Sequence, residues 1–291
     1  MAVLYVTATP IGNLQDLSPR AVETLRAADW ILAEDTRVTM KLCQVFDLHA
    51  RLISCHRHNE ENIAASLAEK MLEENLTAAL VTDAGTPCIS DPGNEVVAAC
   101  IEREIPVLPI PGCCAAVSAI SISGFDAREF AFYGFLPRNG RELRAKLKDL
   151  PKGPAVAALH ESPFRIIELT EAVADVLPQA RMAVCCDLTK LHEKTIYGSP
   201  RETLEKLKAN PKTEKGEYCV ILDLHACRAE EQEAPETGCA RSLEARLTDL
   251  MKEGCSLREA QEKLVTSGEK KNAVKQAALQ LKKWFSPVEE N

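Results

Sequence analysis

The stretch "TAALVTDAGTPCISDPG", Thr77–Gly93, decides the fold. Its opening residues are short and apolar, the pattern of a strand buried on both faces. The strand runs into a segment rich in turn formers and charge, with Gly85, Gly93, Pro87, Pro92, Asp83 and Asp91. A turn needs two or three such residues, so this backbone is either a long structural loop or a wall shaped to receive a ligand. The same alternation recurs on either side. "AVLYVT" runs into "ATPIGNL", "WILA" into "EDTR", "RLISC" into "HRHNE" and "VLPI" into "PGCC". Helical stretches separate them. Ser18 is placed as an N-cap ahead of Pro19 and "RAVETLRAA", and further helices are predicted over Val38–Phe46, Glu60–Glu74, Asn94–Arg103 and Cys114–Ser123. Short apolar strands alternating with helices predict a mostly parallel sheet covered on both faces, filling residues 1–124. In such sheets ligands bind beyond the carboxyl ends of the strands. All five exits carry glycine, proline or charge, so the run after Val81 reads as one wall of a ligand cleft.

Several ligand classes are excluded. The first loop has the single glycine Gly12, so the glycine fingerprint of a dinucleotide site is missing, as is a phosphate-binding P-loop. Twelve cysteines are scattered or adjacent, with no C-x-x-C and no zinc spacing to the six histidines. They read as small buried hydrophobes of a reducing compartment, with no metal. No apolar run approaches the roughly 18 residues of a membrane span, and "MAVLYVTATP" lacks a basic signal-peptide start. A cytoplasmic protein without a membrane partner is therefore expected.

Beyond residue 124 the pattern changes. "AVAAL", a helix over Phe164–Val176, "RMAVCC", "KTIYG", a helix over Arg201–Lys208 and "EYCVILDL" predict a second α/β domain, 125–225, with antiparallel strand pairs in a mixed sheet. Residues 226–240 are acidic and poor in apolar side chains, and read as a linker. Residues 241–291 read as a small helical module. Leu243, Leu247 and Leu250 keep helical spacing, Ser256 and Glu259 form a capping box, and Ala273, Ala277 and Leu281 space as one face. The chain as a whole carries a charge of −8, which argues against a general nucleic-acid binder. Two segments depart from it: Pro137–Lys152 has six basic residues against two acidic, and Arg241–Lys283 has ten against six. Those basic clusters keep an RNA partner in view.

The segments "LYVTATPIGNLQDLSPRA", "AEDTRVT", "HRHNE", "TDAGTPCISDPG", "PIPG", "SGF", "FYGFLPR", "ESPFR", "LTKLHE" and "KGEY" come one after another in an order that resembles the small-subunit ribosomal RNA methyltransferase I family of the tetrapyrrole methylase superfamily. The resemblance covers Leu4 to about Leu224. It implies two α/β domains with a cofactor cleft between them, S-adenosylmethionine as cofactor, and 2′-O-methylation of a cytidine ribose in the decoding centre of 16S rRNA. The implied substrate is the assembled small subunit and the implied assembly a homodimer. It assigns cofactor contacts to Ile11 and Gly12, to Asp83, Ala84, Thr86 and Ile89, and to Gly112, Cys113, Cys114 and Ala115. Two departures stand out: Cys113 and Cys114 replace the usual proline and serine, and Phe164 replaces the usual histidine.

Methyl transfer to a ribose hydroxyl needs alignment, and a general base or a cation for the forming alkoxide. The charged residues at the predicted cleft edge are Glu34, Asp35, Arg37, His56, Glu60, Glu161 and Lys190. Lys190 and the Glu34–Asp35–Arg37 cluster are the preferred catalytic candidates, because they lie in segments specific to the family rather than to the superfamily. At "PIPGCC", Gly112 is expected to leave space for a closely approaching ligand. Two rival readings remain: a methylase of a tetrapyrrole or other small substrate, and a non-catalytic RNA-binding assembly factor.

Overall fold

The first two helices of sheet one start where the sequence supplies side-chain caps. Ser18 accepts a hydrogen bond from the Ala21 amide at 3.1 Å and Pro19 occupies the first helical position of α1 (Pro19–Ala27). Asp35 caps α2 (Thr36–Phe46) through the Arg37 amide at 2.8 Å. In the computed structural model, which describes residues 1–228, 242–252 and 254–285, the chain falls into two compact units, Met1–Ala229 and Glu230–Asn291.

The first unit holds two five-stranded sheets. Sheet one contains β1 (Val3–Thr7), β2 (Trp30–Ala33), β3 (Arg51–Ser54), β4 (Thr77–Val81) and β5 (Val107–Ile110), all parallel, in the order β3-β2-β4-β1-β5. Alternate side chains serve two cores. Trp30, Leu32, Ala78 and Leu80 pack under α3 (Glu60–Glu74) and α4 (Asn94–Glu102). Ile31, Ala33, Ala79 and Val81 pack under α1 and α2. Coverage on both faces is why these strands read as unbroken apolar runs.

Sheet two is mixed, in the order β6-β7-β10-β8-β9. Its strands are β6 (Phe130–Phe135), β7 (Val156–Glu161), β8 (Arg181–Cys186), β9 (Lys194–Gly198) and β10 (Tyr218–Asp223). Strands β6 and β7 are parallel and the other pairs antiparallel. One face carries α6 (Gly140–Asp149), α7 (Ile166–Val176) and α8 (Pro200–Lys208) over Leu159, Val184 and Val220. The opposite face, with Ala158, Cys185 and Ile221, is covered by α5 (Ala115–Ser123), the helix after β5 of sheet one. Through α5 the carboxyl edge of sheet one is held against sheet two.

The proposed linker falls partly inside this unit. Residues 225–228 are helical, and Cys227 is buried in the core of sheet two. Positions 229–240 of the proposed linker lie outside the described residues. In the second unit, three helices, Leu243–Lys252, Leu257–Thr266 and Lys271–Phe285, share a core of Leu247, Leu264, Val274, Ala277 and Leu281. The capping box of Ser256 and Glu259 is present. The buried stripe of the last helix starts at Val274, because Ala273 is exposed. Among the described residues no helix is long and apolar enough to cross a membrane, no cluster of His, Cys, Asp or Glu is arranged to hold a metal, and the cysteines are free thiols.

Candidate active site

The loop after β4 is long because it is pinned from four neighbours. Thr9 and Gly85 exchange backbone hydrogen bonds at 2.8 and 3.0 Å. The Thr9 hydroxyl donates to the Thr82 carbonyl at 3.0 Å, and the Thr86 hydroxyl to the Cys113 carbonyl at 2.9 Å. From the β2 exit, the Asp35 amide donates to Asp83 Oδ1 at 3.1 Å. From the β3 exit, Arg57 reaches the Ser90 carbonyl at 2.7 Å, and the buried Glu60 carboxylate accepts from the Gly93 amide at 2.6 Å. Gly93 itself has φ of +125°, and a Cβ there would meet Leu80 Cδ2 at 2.6 Å. Only glycine closes this loop.

Facing that loop lies a cavity of about 480 Å³, the size of a small-molecule site. Its first wall comes from sheet one: Ile11, Glu34, Thr82 to Thr86, Ile89 to Asp91, and Cys114 to Ala116. Its second wall comes from sheet two, with Phe132, Phe135, His160 to Pro163, Leu188 and Glu217 to Cys219. Four strand exits of sheet one therefore form the site, and the fifth does not. His56 and Glu60 brace the β4 loop instead, since β3 is the edge strand farthest from β1 and β5.

Of the residues assigned to the cofactor, Ile11, Asp83, Ala84, Thr86, Ile89, Cys114 and Ala115 line the cavity, whereas Gly12, Gly112 and Cys113 stand behind its wall. Both glycines are closely packed against protein atoms. A Cβ on Gly112 would lie 3.0 Å from Ala8 Cβ, and one on Gly12 would lie 2.5 Å from Lys190 Cγ. Cys113 serves through its carbonyl, which takes the Thr86 hydroxyl. Cys114 is the N-cap of α5 and makes no side-chain cap bond.

Of the catalytic candidates, Glu34 lines the cavity and accepts the Thr82 hydroxyl at 2.7 Å. Asp35 and Arg37 are occupied with each other. Side-chain and backbone hydrogen bonds from Arg37 hold the Asp35 carboxyl down to about 2, which makes it a poor base. Lys190 packs over Gly12 and pairs with Glu217 at 3.0 Å and Asp187 at 3.3 Å. Partial burial pulls its pKa down, but Glu217 and Asp187 outweigh that and raise it above the ordinary value, so the group is a cation at neutral pH.

The sequence reading missed most of the second wall. His160 is pushed below its ordinary pKa by burial; its Nε2 is buried without a partner, and its ring stands edge-on to Phe132 and Phe135. Glu161 is 3% exposed, and burial raises its carboxyl against the opposing Ser162 amide and Arg165. Burial also raises Asp83 and Asp91, with Glu34 adding to both shifts. The site thus has an acidic wall of Glu34, Asp83 and Asp91 opposite an aromatic one.

The family Tetrapyrrole (Corrin/Porphyrin) Methylases matches residues 3–205. A Halalkalibacterium halodurans protein named Ribosomal RNA small subunit methyltransferase I is 41% identical over 230 residues, covering 79% of this chain and 78% of its own. The protein of that name from Escherichia coli O157:H7 is 42% identical over 234 residues, covering 80% of each. Among solved structures, the methyltransferase CobJ superposes with a TM-score of 0.56 at 15% identity, over 76% of this chain and 94% of that one. A Thermus thermophilus uroporphyrin-III C-methyltransferase, solved with S-adenyl homocysteine, gives 0.53 at 16% identity, over 78% and 99%. At such identities these two likenesses speak for the fold alone. The match over most of the chain and the two close relatives carry the assignment further: this chain belongs to the tetrapyrrole methylases and, within them, to the ribosomal RNA small subunit methyltransferase I family.

Proposed function

We propose that this chain transfers a methyl group from S-adenosylmethionine to the 2′-hydroxyl of a cytidine ribose in decoding-centre 16S rRNA, acting on the assembled small subunit in the cytoplasm as a homodimer. The observation that carries the reading is the two-walled cavity at the carboxyl edge of sheet one, in a chain whose relatives bear the name of a small-subunit rRNA methyltransferase. The donor set suits the cofactor: a sulfonium and an ammonium are cations, and the acidic side chains of Glu34, Asp83 and Asp91 line the cavity beside apolar Ile11 and Ile89. When bound, the cofactor supplies an activated methyl group.

The chain's own residues do the rest. The pinned β4 loop, with Asp83, Ala84, Thr86 and Ile89, fixes the orientation of whatever occupies the cavity. Glu34 is our candidate for the base that takes the ribose proton, and Lys190 our candidate for the cation that stabilises the forming alkoxide. Asp35 and Arg37 act by position, since the Asp35 amide holds Asp83 in place. We place the domain boundaries at 1–124 and 125–225, the second extended to Arg228 by the helical turn that carries Cys227, and read residues 241–291 as an appended module that docks RNA.

The test is methyl transfer from labelled cofactor to free 16S rRNA, to small subunits and to a tetrapyrrole in parallel, with mapping of the modified nucleotide. Label on a cytidine ribose of small subunits is expected. Label on the tetrapyrrole alone, or cofactor-independent RNA binding without transfer, would refute the reading.

A further inference from the structure

The two most exposed aromatic side chains of the first unit, Phe135 and Phe164, lie at the end of β6 and in the loop after β7, at the cavity wall or next to it in the chain. Strands β6 and β7 run parallel with Phe135 opposite His160, so they deliver their next loops side by side. Arg165 ties those loops, donating from Nη2 to the Pro137 carbonyl at 3.0 Å and from Nη1 to the Leu136 carbonyl at 3.4 Å. Phe135, 62% exposed, and Pro163 are part of the cavity wall, and Phe164, next in the chain, is 81% exposed. Phenyl rings of this size are normally buried, and grouped exposure at a site marks an interaction surface.

The charge beside them is positive and unspent. Arg138 and Arg141 come directly after the tied loop, are exposed, and make no ion pair among the described residues. Their neighbours differ: Arg144 pairs with Asp175 at 3.0 Å, and the Lys146 ammonium lies 4.8 Å from the Tyr133 ring. Arg138 is close enough to the cavity for its charge to favour the ionised form of Glu161. The first amides of α6 are taken by Asn139 Oδ1, at 2.9 and 3.3 Å, so the attraction here belongs to the guanidinium groups.

We propose that this rim is a nucleotide platform, on which bases flanking the target stack on Phe164 and Phe135 while Arg138 and Arg141 meet the adjoining phosphates. The proposal rests on the rRNA reading and deepens it. Exposed ring faces beside unpaired guanidinium groups match the chemistry of unstacked RNA, whose every base offers a π-face and whose backbone is anionic. A nucleotide whose ribose enters the cavity must leave its stack, and its neighbours then need a new partner. The occupant is single-stranded or locally opened RNA.

The test compares wild type, Phe164→Ala, Phe164→Trp and the pair Arg138→Ala/Arg141→Ala in the full chain, on small subunits across a salt series. Phe164→Ala is expected to raise KM for subunits roughly five- to a hundredfold, as loss of one stacked base does. It should leave S-adenosylmethionine affinity and the salt slope unchanged, and Phe164→Trp should restore binding. The double arginine variant should flatten the slope of log K against log salt by about 1.4, two phosphate contacts' worth for single strands. If wild type methylates subunits and Phe164→Ala matches it, the platform is wrong while the rRNA reading stands. If Phe164→Ala instead turns a dimer into a monomer in sedimentation, the rim belongs to a second copy and the platform is again wrong. If wild type modifies no RNA, the rRNA reading fails and the platform with it.

Discussion

Replacing Cys114 by serine should stabilise the protein. Cys114 is the N-cap of α5, with φ of −143° and ψ of 111°, the extended geometry a capping residue adopts. Its thiol makes no cap bond, whereas Ser18, Ser199 and Ser256 at equivalent positions each accept from a first-turn amide at 3.1 to 3.4 Å. Sulfur is a weak acceptor and oxygen a good one. A serine cap is worth about 0.5–2 kcal/mol over a residue that cannot cap. Against this stands the burial of a hydroxyl among the apolar side chains under α5, a cost that is small once the hydroxyl is bonded. A net gain of about 1 kcal/mol remains, and in a unit of this size it raises Tm by about 2–4 °C. Thermal unfolding of wild type, Cys114→Ser and Cys114→Ala measures it. An unchanged or lower Tm for the serine variant, or an equal gain for alanine, would refute the capping argument. Because α5 packs on both the cavity and sheet two, cofactor affinity should hold or tighten.

Gly112→Ala should lower stability by about 1–3 kcal/mol through overpacking against Ala8, detectable as a drop in urea midpoint before any effect on cofactor binding at low temperature. His160→Phe should flatten the acid side of the stability profile. Burial depresses the folded-state pKa of His160 below its ordinary 6.5, so wild-type stability is intact above that value and falls as pH drops through it, because unfolding then takes up a proton. Chemical denaturation at pH 7 and pH 5 reads the difference, and equal pH slopes in both proteins would exclude His160 as the cause. Lys190→Ala and Glu34→Gln should each lower single-turnover methylation by tenfold or more with cofactor affinity little changed, whereas wild-type rates would misplace the chemistry. Truncation should be made after Arg228, since Cys227 is part of the core of sheet two. The shortened chain should bind cofactor normally and methylate subunits poorly, with the deficit growing as salt rises, and equal activity across a salt series would make the helical module structural.

The first sheet was legible because its central strands β2 and β4 are buried along most of their length, and five short β-branched or apolar runs with charged, glycine- or proline-bearing exits stand out against the helices between them. Strand order was not. The exit "HRHNE" is as charged as the exit "EDTR", which lines the cavity through Glu34, yet β3 lies at the sheet edge and its loop becomes a brace. Nothing local to His56 or Glu60 distinguishes a wall from its support. The close packing of Gly12 and Gly112 was equally hidden, because the atoms that crowd them, on Lys190 and Ala8, are distant in sequence or on another strand exit.

The second wall was hidden for a more specific reason. In "FAFYGF" a regular strand alternates its faces, which would set Phe132 and Phe135 on opposite sides of sheet two. The pairing of β6 with β7 slips between Phe132 and Gly134, where Gly134 has φ of +60°. One irregular residue restores both rings to the same face, edge-on to His160 from either side of the slip. The aromatic wall therefore depends on a bulge that period-two reading cannot register. The same slip leaves Phe135 lining the cavity with Pro163, whose chain neighbour Phe164 is exposed. A local break in the strand, rather than any catalytic motif, gives this face of the site its shape.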